Sequence, residues 1–274
     1  MKTPVLCLCL GLAAFSAAAQ APASQAPATA PKPAPKPATA AHPATTTHMT
    51  TDPGLLHPAT LKATAPETYD ATFHTTKGDF VIQVTRSWAP IGADRFYNLV
   101  KHGFYNGNPF FRVLPKFVVQ FGITGNPAVN KVWQDAGIKD EPVKEHNVLG
   151  TVTFAKSSLP NSRTTQLFIN LDDNSSNLDG QGFSPFGKVI TGMDVVQSIY
   201  SGYGQQPDQQ AIQTQGTAYF EKQYPRLDVI KSAVISSPAG APTTHTPTSG
   251  TATTHHATSA PASSTPATTP KSTK

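Results

Sequence analysis

The sequence predicts one mainly β domain, an antiparallel barrel or sandwich, set between two low-complexity flanks. Three observations predict it. Short runs rich in Val, Ile, Phe and Thr recur at close spacing between turn residues. Only two stretches carry helical periodicity. Of the 23 aromatic residues, 22 lie within residues 67–235, the exception being Phe15. Ten of the 26 prolines fall in residues 20–66 and six in residues 236–274, within Ala/Pro/Thr/Ser mixtures nearly free of acidic and aromatic residues. Such flanks cannot bury enough apolar surface to offset backbone entropy and are expected to be disordered. The remaining 169 residues suffice for one packed domain and exclude two.

Taken in order, residues 69–76 alternate, with Tyr69, Ala71, Phe73 and Thr75 on one face, and residues 79–86 alternate again through Phe80, Ile82 and Val84. Lys77, Gly78 and Asp79 supply turn residues between them, so the pair reads as a hairpin. Residues 91–102 place Phe96, Leu99 and Val100 at helical spacing, with Gly103 as the stop. Short strands are expected at 110–113, 117–120, 150–154, 166–169 and 185–189. Val195, Val196 and Ile199 mark a second helix in 193–200, and 228–235 closes the domain as a strand. Residues 114–116 and 123–148 read as loops, the second long enough to suggest a function.

Charge says little about partners. The net +5 comes from the flanks, where six lysines face Asp52 alone; residues 67–235 hold 15 Lys+Arg against 15 Asp+Glu. A nucleic-acid reader would show a basic excess on the folded part, so nucleic-acid binding is not expected. At the N-terminus, Lys2 precedes an apolar run from Val5 to Phe15, and Ala17-Ala18-Ala19 offers a small-residue cleavage site. Residues 1–19 therefore read as a signal peptide, and the protein as exported, to the periplasm or outside the cell. The run is too short to span a membrane, and no later stretch approaches about 20 apolar residues. Both cysteines, Cys7 and Cys9, lie inside it, leaving the mature chain without a disulfide or thiolate. Residues 20–66 read as a linker with polyproline character around residues 30–38, and residues 236–274 as a tail.

The common chemistries find no motif. There is no Gly-rich phosphate loop and no Gly-x-Ser-x-Gly elbow; His74, His102 and His146 are scattered without metal-ligand spacing. Asp172, Asn174 and Ser176 resemble the start of a calcium loop, but Asn177 and Phe183 stand where its glycine and bidentate glutamate belong. Asp172-Asp173 reads as a solvated turn. What remains is Phe110-Phe111-Arg112-Val113-Leu114-Pro115-Lys116-Phe117-Val118-Val119-Gln120. Arg112 sits among apolar neighbours, where a guanidinium needs acceptors or a ligand; alternation would place it on the face of Phe110, opposite Phe111 and Val113. An arginine whose head simply reaches solvent is the alternative on spacing alone.

These residues, with their surroundings, resemble the cyclophilin family of peptidyl-prolyl cis-trans isomerases. The resemblance runs from about Tyr69 to Ile235, through Thr76-Lys77-Gly78-Asp79-Phe80, Ala89-Pro90-Ile91, Phe96-Tyr97-Asn98-Leu99-Val100, Gly103-Phe104-Tyr105-Asn106-Gly107, Phe110-Phe111-Arg112-Val113, Gln166-Leu167-Phe168-Ile169, Leu178-Asp179-Gly180 and Phe186-Gly187-Lys188-Val189. It implies a closed eight-stranded antiparallel β-barrel capped by two α-helices, spanning residues 67–235. It implies Arg112 as catalytic arginine and Gln120 as the glutamine contacting substrate backbone. Phe117, Val118, Phe168 and Leu178 match the proline pocket, Ala155 and Lys156 the stretch that pairs with the peptide, and Gln166 the same substrate cleft. Phe183 is nearest to the position of the family's pocket histidine. The sequence departs from the family at Val118 (usually Met), Lys156 (more often Asn), Asn177 (Trp in many eukaryotic members) and Phe121-Gly122-Ile123-Thr124, where the glutamine is usually followed by Gly-Gly-Asp.

The implied partners are X-Pro-containing unfolded or flexible polypeptides, with the protein acting as a monomer that assists the folding of exported proteins. Turning the amide makes and breaks no covalent bond, so neither cofactor nor metal is called for. A cyclophilin-like peptide-binding module with little turnover, and a scaffold whose proline-rich arms do the binding, are the alternatives. The pocket residues lie in residues 67–235, so the arms are expected to be dispensable unless Leu55, Leu56 or Leu61 packs onto the domain.

Overall fold

The computed structural model describes residues 52–236. The expected signal peptide, the linker up to residue 51 and the tail from residue 237 lie outside the described residues.

Eight antiparallel strands form one sheet: β1 (Thr68–Thr75), β2 (Asp79–Thr85), β3 (Arg112–Leu114), β4 (Val118–Phe121), β5 (Thr151–Phe154), β6 (Leu167–Asn170), β7 (Pro185–Thr191) and β8 (Ile230–Ser236). Their order is β3-β4-β6-β5-β7-β2-β1-β8. The opening hairpin pairs Phe73 with Phe80, and Gly78 takes φ 128° at the turn, a conformation open to glycine. Tyr69, Ala71, Phe73 and Thr75 all point inward, as their alternation requires.

The sheet is curled into a half-barrel, which corrects the expected closed barrel. No ladder joins β3 to β8. One bridge, Pro109–Val229, connects the approach to β3 with the approach to β8. Gly107 N donates to Ile230 O at 2.7 Å, Ile230 N to Asn108 O at 2.9 Å and Phe110 N to Asp228 O at 3.0 Å. Two features stop the ladder there. Pro109 has no N–H to donate, and the outer edge of β3 is taken by a loop, Val113 N donating to Gly204 O at 3.0 Å.

The two-helix expectation is also corrected: the described residues hold six α-helical segments. The expected first helix is α1 (Pro90–Lys101), started by Pro90. Glu141 caps it from a distant loop, its carboxylate accepting from Ile91 N at 2.6 Å and Gly92 N at 3.0 Å. The loop expected at 123–148 contains α2 (Pro127–Trp133), capped by Asn126. Helix α3 is Ser175–Leu178, and the expected second helix shrinks to α4 (Met193–Gln197). Helices α5 (Gln209–Gln215) and α6 (Thr217–Gln223) complete the set. The last two each bury one apolar residue, Ile212 and Phe220, against Phe111 and Ile123. This satellite cluster lies outside the main core.

The main core is an aromatic stack inside the sheet. Phe73 lies flat on Phe80 with centroids 5.0 Å apart, and Phe96, Tyr105, Phe110 and Phe121 close around them. Such pairs add about 0.5–1.5 kcal/mol each beyond their burial.

The expected domain start at residue 67 is corrected as well. Residues 52–66 form a strap over α1 and α2. Leu55 is 3% exposed and its carbonyl accepts from Trp133 Nε1 at 2.7 Å. Asn98 brackets Ala63, accepting from its N–H at 3.1 Å and donating to its carbonyl at 2.7 Å. Ala65 N donates to Asp94 Oδ1 at 2.9 Å, and Asp52 meets His102 Nδ1 at 2.7 Å. That contact, with a bond from Gly54 N, holds the Asp52 carboxyl below its ordinary range. Trp133 itself is wedged between the edge of Phe104 and the guanidinium of Arg95, which burial pulls down to about 10.

Candidate active site

Sheet register assembles the site. Arg112 lies directly opposite Gln120 across β3 and β4, and Gln120 directly opposite Phe168 across β4 and β6. Directly opposed residues share a face, so these three side chains form a row across the sheet. Period-two alternation then adds Val118 and Gln166 to the same face. Val113, Val119, Phe121, Leu167 and Ile169 fall on the other and enter the main core.

Arg112 Nη1 donates to Gln120 Oε1 at 3.1 Å, and Gln120 Nε2 donates to Gln166 Oε1 at 2.9 Å. Gln120 is 7% exposed, so its amide is held by two partners with little water to compete. The guanidinium lies 5.5 Å from the centre of the Phe117 ring. Beside this polar row sits a separate apolar floor of Val118, Phe168 and Leu178, with Phe117, Ala155 and Phe183 packed against it. Phe183 meets Phe168 edge-on at 5.7 Å, and the Lys156 ammonium lies 5.7 Å from the Phe183 ring centre. All ten residues expected from the sequence are thereby brought to one face.

The expected alternation around Arg112 is corrected in one respect. Phe110 enters the main core together with Val113, while Phe111 turns to the satellite cluster. The ladder begins only at Arg112, so the period-two rule does not reach back across Phe111.

Residues not expected from the sequence hold the outer wall. Asp179 Oδ1 accepts from Asn147 N at 3.0 Å and Nδ2 at 2.7 Å, and Oδ2 meets His146 Nδ1 at 2.7 Å. Asn147 Nδ2 also donates to Phe183 O at 2.8 Å, while its Oδ1 accepts from Thr153 Oγ1 at 2.9 Å. The Leu178–Phe183 segment is thus tied to β5. Asn174 Nδ2 ties the turn before β4 by donating to Phe117 O at 2.9 Å. Asn174 lies four positions before Leu178-Asp179-Gly180, whereas Asn147 reaches Asp179 across 32 positions and carries no local sequence signal.

Burial raises the Asp179 pKa more than any single contact changes it, but the bonds from Asn147 and His146 together outweigh burial and leave it lowered. The same pair raises that of His146. A lowered carboxyl stabilises the fold above its unfolded pKa, and the contribution is lost as pH falls through the folded value. A raised imidazole contributes below its unfolded pKa and loses the contribution as pH rises through the folded one. The wall is therefore firmest between the two. Asp179→Ala strands Asn147 donors and is expected to cost about 1–3 kcal/mol at neutral pH in urea unfolding. The difference from wild type should shrink as pH drops below the carboxylate range; a difference constant to low pH would show that the carboxylate charge is irrelevant.

The profile of the family described as "Cyclophilin type peptidyl-prolyl cis-trans isomerase/CLD" matches residues 71–217. This chain belongs to the cyclophilin family. Among its cyclophilin relatives, a peptidyl-prolyl cis-trans isomerase of Acinetobacter baylyi is 40% identical over 129 residues, covering 46% of this chain and 68% of the relative. The peptidyl-prolyl cis-trans isomerase B of Escherichia coli is 36% identical over 135 residues, covering 47% of this chain and 82% of the relative. A crystal structure of a Cryptosporidium parvum cyclophilin aligns with a TM-score of 0.47 at 21% identity, over 63% of this chain and 99% of that one. The cyclophilin match ends at residue 217, the first of α6, so the rest of that helix and all of β8 lie beyond it.

Proposed function

We propose that this cyclophilin domain catalyses cis–trans isomerisation of X-Pro peptide bonds, with Arg112 and Gln120 as its catalytic residues. The observation that carries this reading is the row of Arg112, Gln120 and Phe168 beside the apolar floor. The two isomers differ by only about 0.5–1 kcal/mol, yet exchange over tens to hundreds of seconds. The barrier, about 20 kcal/mol, is the resonance lost as the C–N bond twists. In the twisted state the prolyl nitrogen regains a localised lone pair and accepts a hydrogen bond it could not accept when planar.

Val118, Phe168, Leu178 and Phe117 hold the proline ring, with Phe183 as the outer wall. Arg112 donates to the twisted nitrogen. Gln120, fixed between Arg112 and Gln166, orients the guanidinium and holds the flanking backbone, while Ala155 and Lys156 line the peptide. A millionfold acceleration would require about 8 kcal/mol of selective stabilisation. One charged hydrogen bond supplies part of it; alignment in a water-poor groove supplies the rest.

The test is NMR exchange or a protease-coupled assay on an Ala-Pro peptide. Acceleration at sub-stoichiometric protein supports the enzyme. Binding without acceleration would leave a peptide-binding module instead.

We propose that residues 1–19 direct export and that the domain acts, as a monomer, on X-Pro bonds of exported polypeptides; Lys2, the apolar run to Phe15 and Ala17-Ala18-Ala19 support the export. Mass spectrometry of protein from the native host should find the mature chain beginning near Gln20. An intact Met1 would overturn export by this route.

A further inference from the structure

Lys156 brings a full positive charge to the rim of the apolar floor. Its ammonium lies over the Phe183 ring, which packs on Phe168 in the floor. The room for it comes from Gly182: a Cβ there would stand 3.3 Å from Lys156 Nζ, and the backbone takes φ 77°, where side chains are rarely tolerated. Among the described residues no carboxylate comes within 4.0 Å of this ammonium. The nearest acid along the chain from Gly182, Asp179, is occupied by Asn147 and His146. Arg112 adds a second positive charge to the same face. The ring excludes water from one side of the ammonium, which strengthens its attraction for a counter-charge arriving in the groove.

We propose that Lys156 makes this site select substrates carrying a carboxylate within three residues of the proline; the proposal rests on the isomerase reading above. Asp or Glu on the bound peptide would supply the counter-charge that the protein leaves out. An unbound basic peptide would meet like charge from both Lys156 and Arg112. Discrimination should be modest, because one side of the pair stays in solvent. It should also weaken with salt.

The experiment compares kcat/KM for X-Pro peptides with alanine at the other positions and Glu, Gln or Lys placed in turn at each of the three positions before and after the proline. At low ionic strength the best Glu peptide should exceed its Gln counterpart about three- to fivefold, with the Lys peptide lowest. Raising salt to about 0.5 M, where screening acts within a few ångströms, should bring the ratio near one for the wild type. In Lys156→Gln the Glu-to-Gln ratio should collapse at low salt, and in Lys156→Glu it should invert. The salt series needs no variant, so a misfolded substitution leaves the proposal open to refutation. Equal turnover of Glu, Gln and Lys peptides at every position would overturn it while leaving the isomerase reading intact. Absence of turnover on all peptides would overturn the isomerase reading itself.

Discussion

Replacing Arg112 with alanine should reduce kcat/KM on an Ala-Pro peptide about a hundredfold or more, the scale seen when one preorganised donor is removed from a developing charge. Peptide affinity should fall only severalfold, because Val118, Phe168 and Leu178 remain to hold the proline ring. That split, turnover lost and binding kept, identifies an interaction made chiefly in the transition state. The substitution also removes the donor at 3.1 Å from Gln120 Oε1, so part of the loss arises from a less firmly held amide. Arg112→Lys should rescue poorly: an ammonium lacks the planar fork that serves the glutamine and the prolyl nitrogen together. NMR exchange at matched protein concentration measures all three. Wild-type turnover in the alanine variant would remove Arg112 from the mechanism.

The second large effect is expected far from the groove. Cutting the chain at residue 67 should lower the melting temperature by about 10 °C or more, against a net stability of only about 5–15 kcal/mol for a domain. The cut deletes Leu55, whose truncation to alanine alone should cost about 2–5 kcal/mol. It also strands Trp133 Nε1 and Asn98 Oδ1, both buried, at about 1–3 kcal/mol each. Leu55→Ala and Trp133→Phe should give graded losses in calorimetry. An unchanged melting temperature after the cut would show that the strap is passive.

The loss need not stop at stability. Trp133 ends α2, and Asn130 in the same helix accepts from Thr124 N at 3.0 Å and donates to Thr124 O at 2.8 Å. Thr124 lies four residues after Gln120, across Gly122. A Cβ at Gly122 would stand 2.5 Å from Thr165 O, so that crossing has no slack. Strap, α2 and the Gln120–Gln166 pair are mechanically continuous.

Where the sequence was legible, one physical rule governed one element. Period-two alternation found the β1–β2 hairpin because both strands bury one face throughout. Helix α1 was legible from Phe96, Leu99 and the stop at Gly103. Helices α5 and α6 were not, because each is anchored by a single buried residue, Ile212 or Phe220, and one residue has no period. Asn126-Pro127, a capping residue before a helix-starting proline, was a readable signal for α2 inside the supposed loop. The strap was only half legible: Leu55, Leu56 and Leu61 stood out in an Ala/Pro-rich run, but which of them is buried depends on Trp133, 78 positions from Leu55.

The site divides in the same way. Arg112 and Gln120 sit eight residues apart on one tight hairpin, so their meeting follows from local pairing. Leu178 and Phe183 reach the floor through the connection between β6 and β7, and Lys156 follows two residues after β5; no local rule brings the three together, and only the family resemblance placed them there. Phe121 and Ile123, which break the usual Gly-Gly-Asp, are explained by packing. Phe121 closes the aromatic stack and Ile123 joins the satellite cluster, so apolar burial has replaced small and polar residues at that turn.

The satellite cluster bears on how this domain tolerates change. Phe111 is the chain neighbour of Arg112, and its ring is covered by Ile212 and Phe220 from the two short helices. Those helices resemble a surface ornament that could be trimmed or exchanged for a shorter turn from a relative. Grafting such a turn would leave Phe111 facing water at the residue next to the guanidinium. A library selected for activity should therefore accept change freely at the exposed glutamines of α5 and reject it at Ile212, so that a segment outside the groove carries a signature of the groove's own constraint.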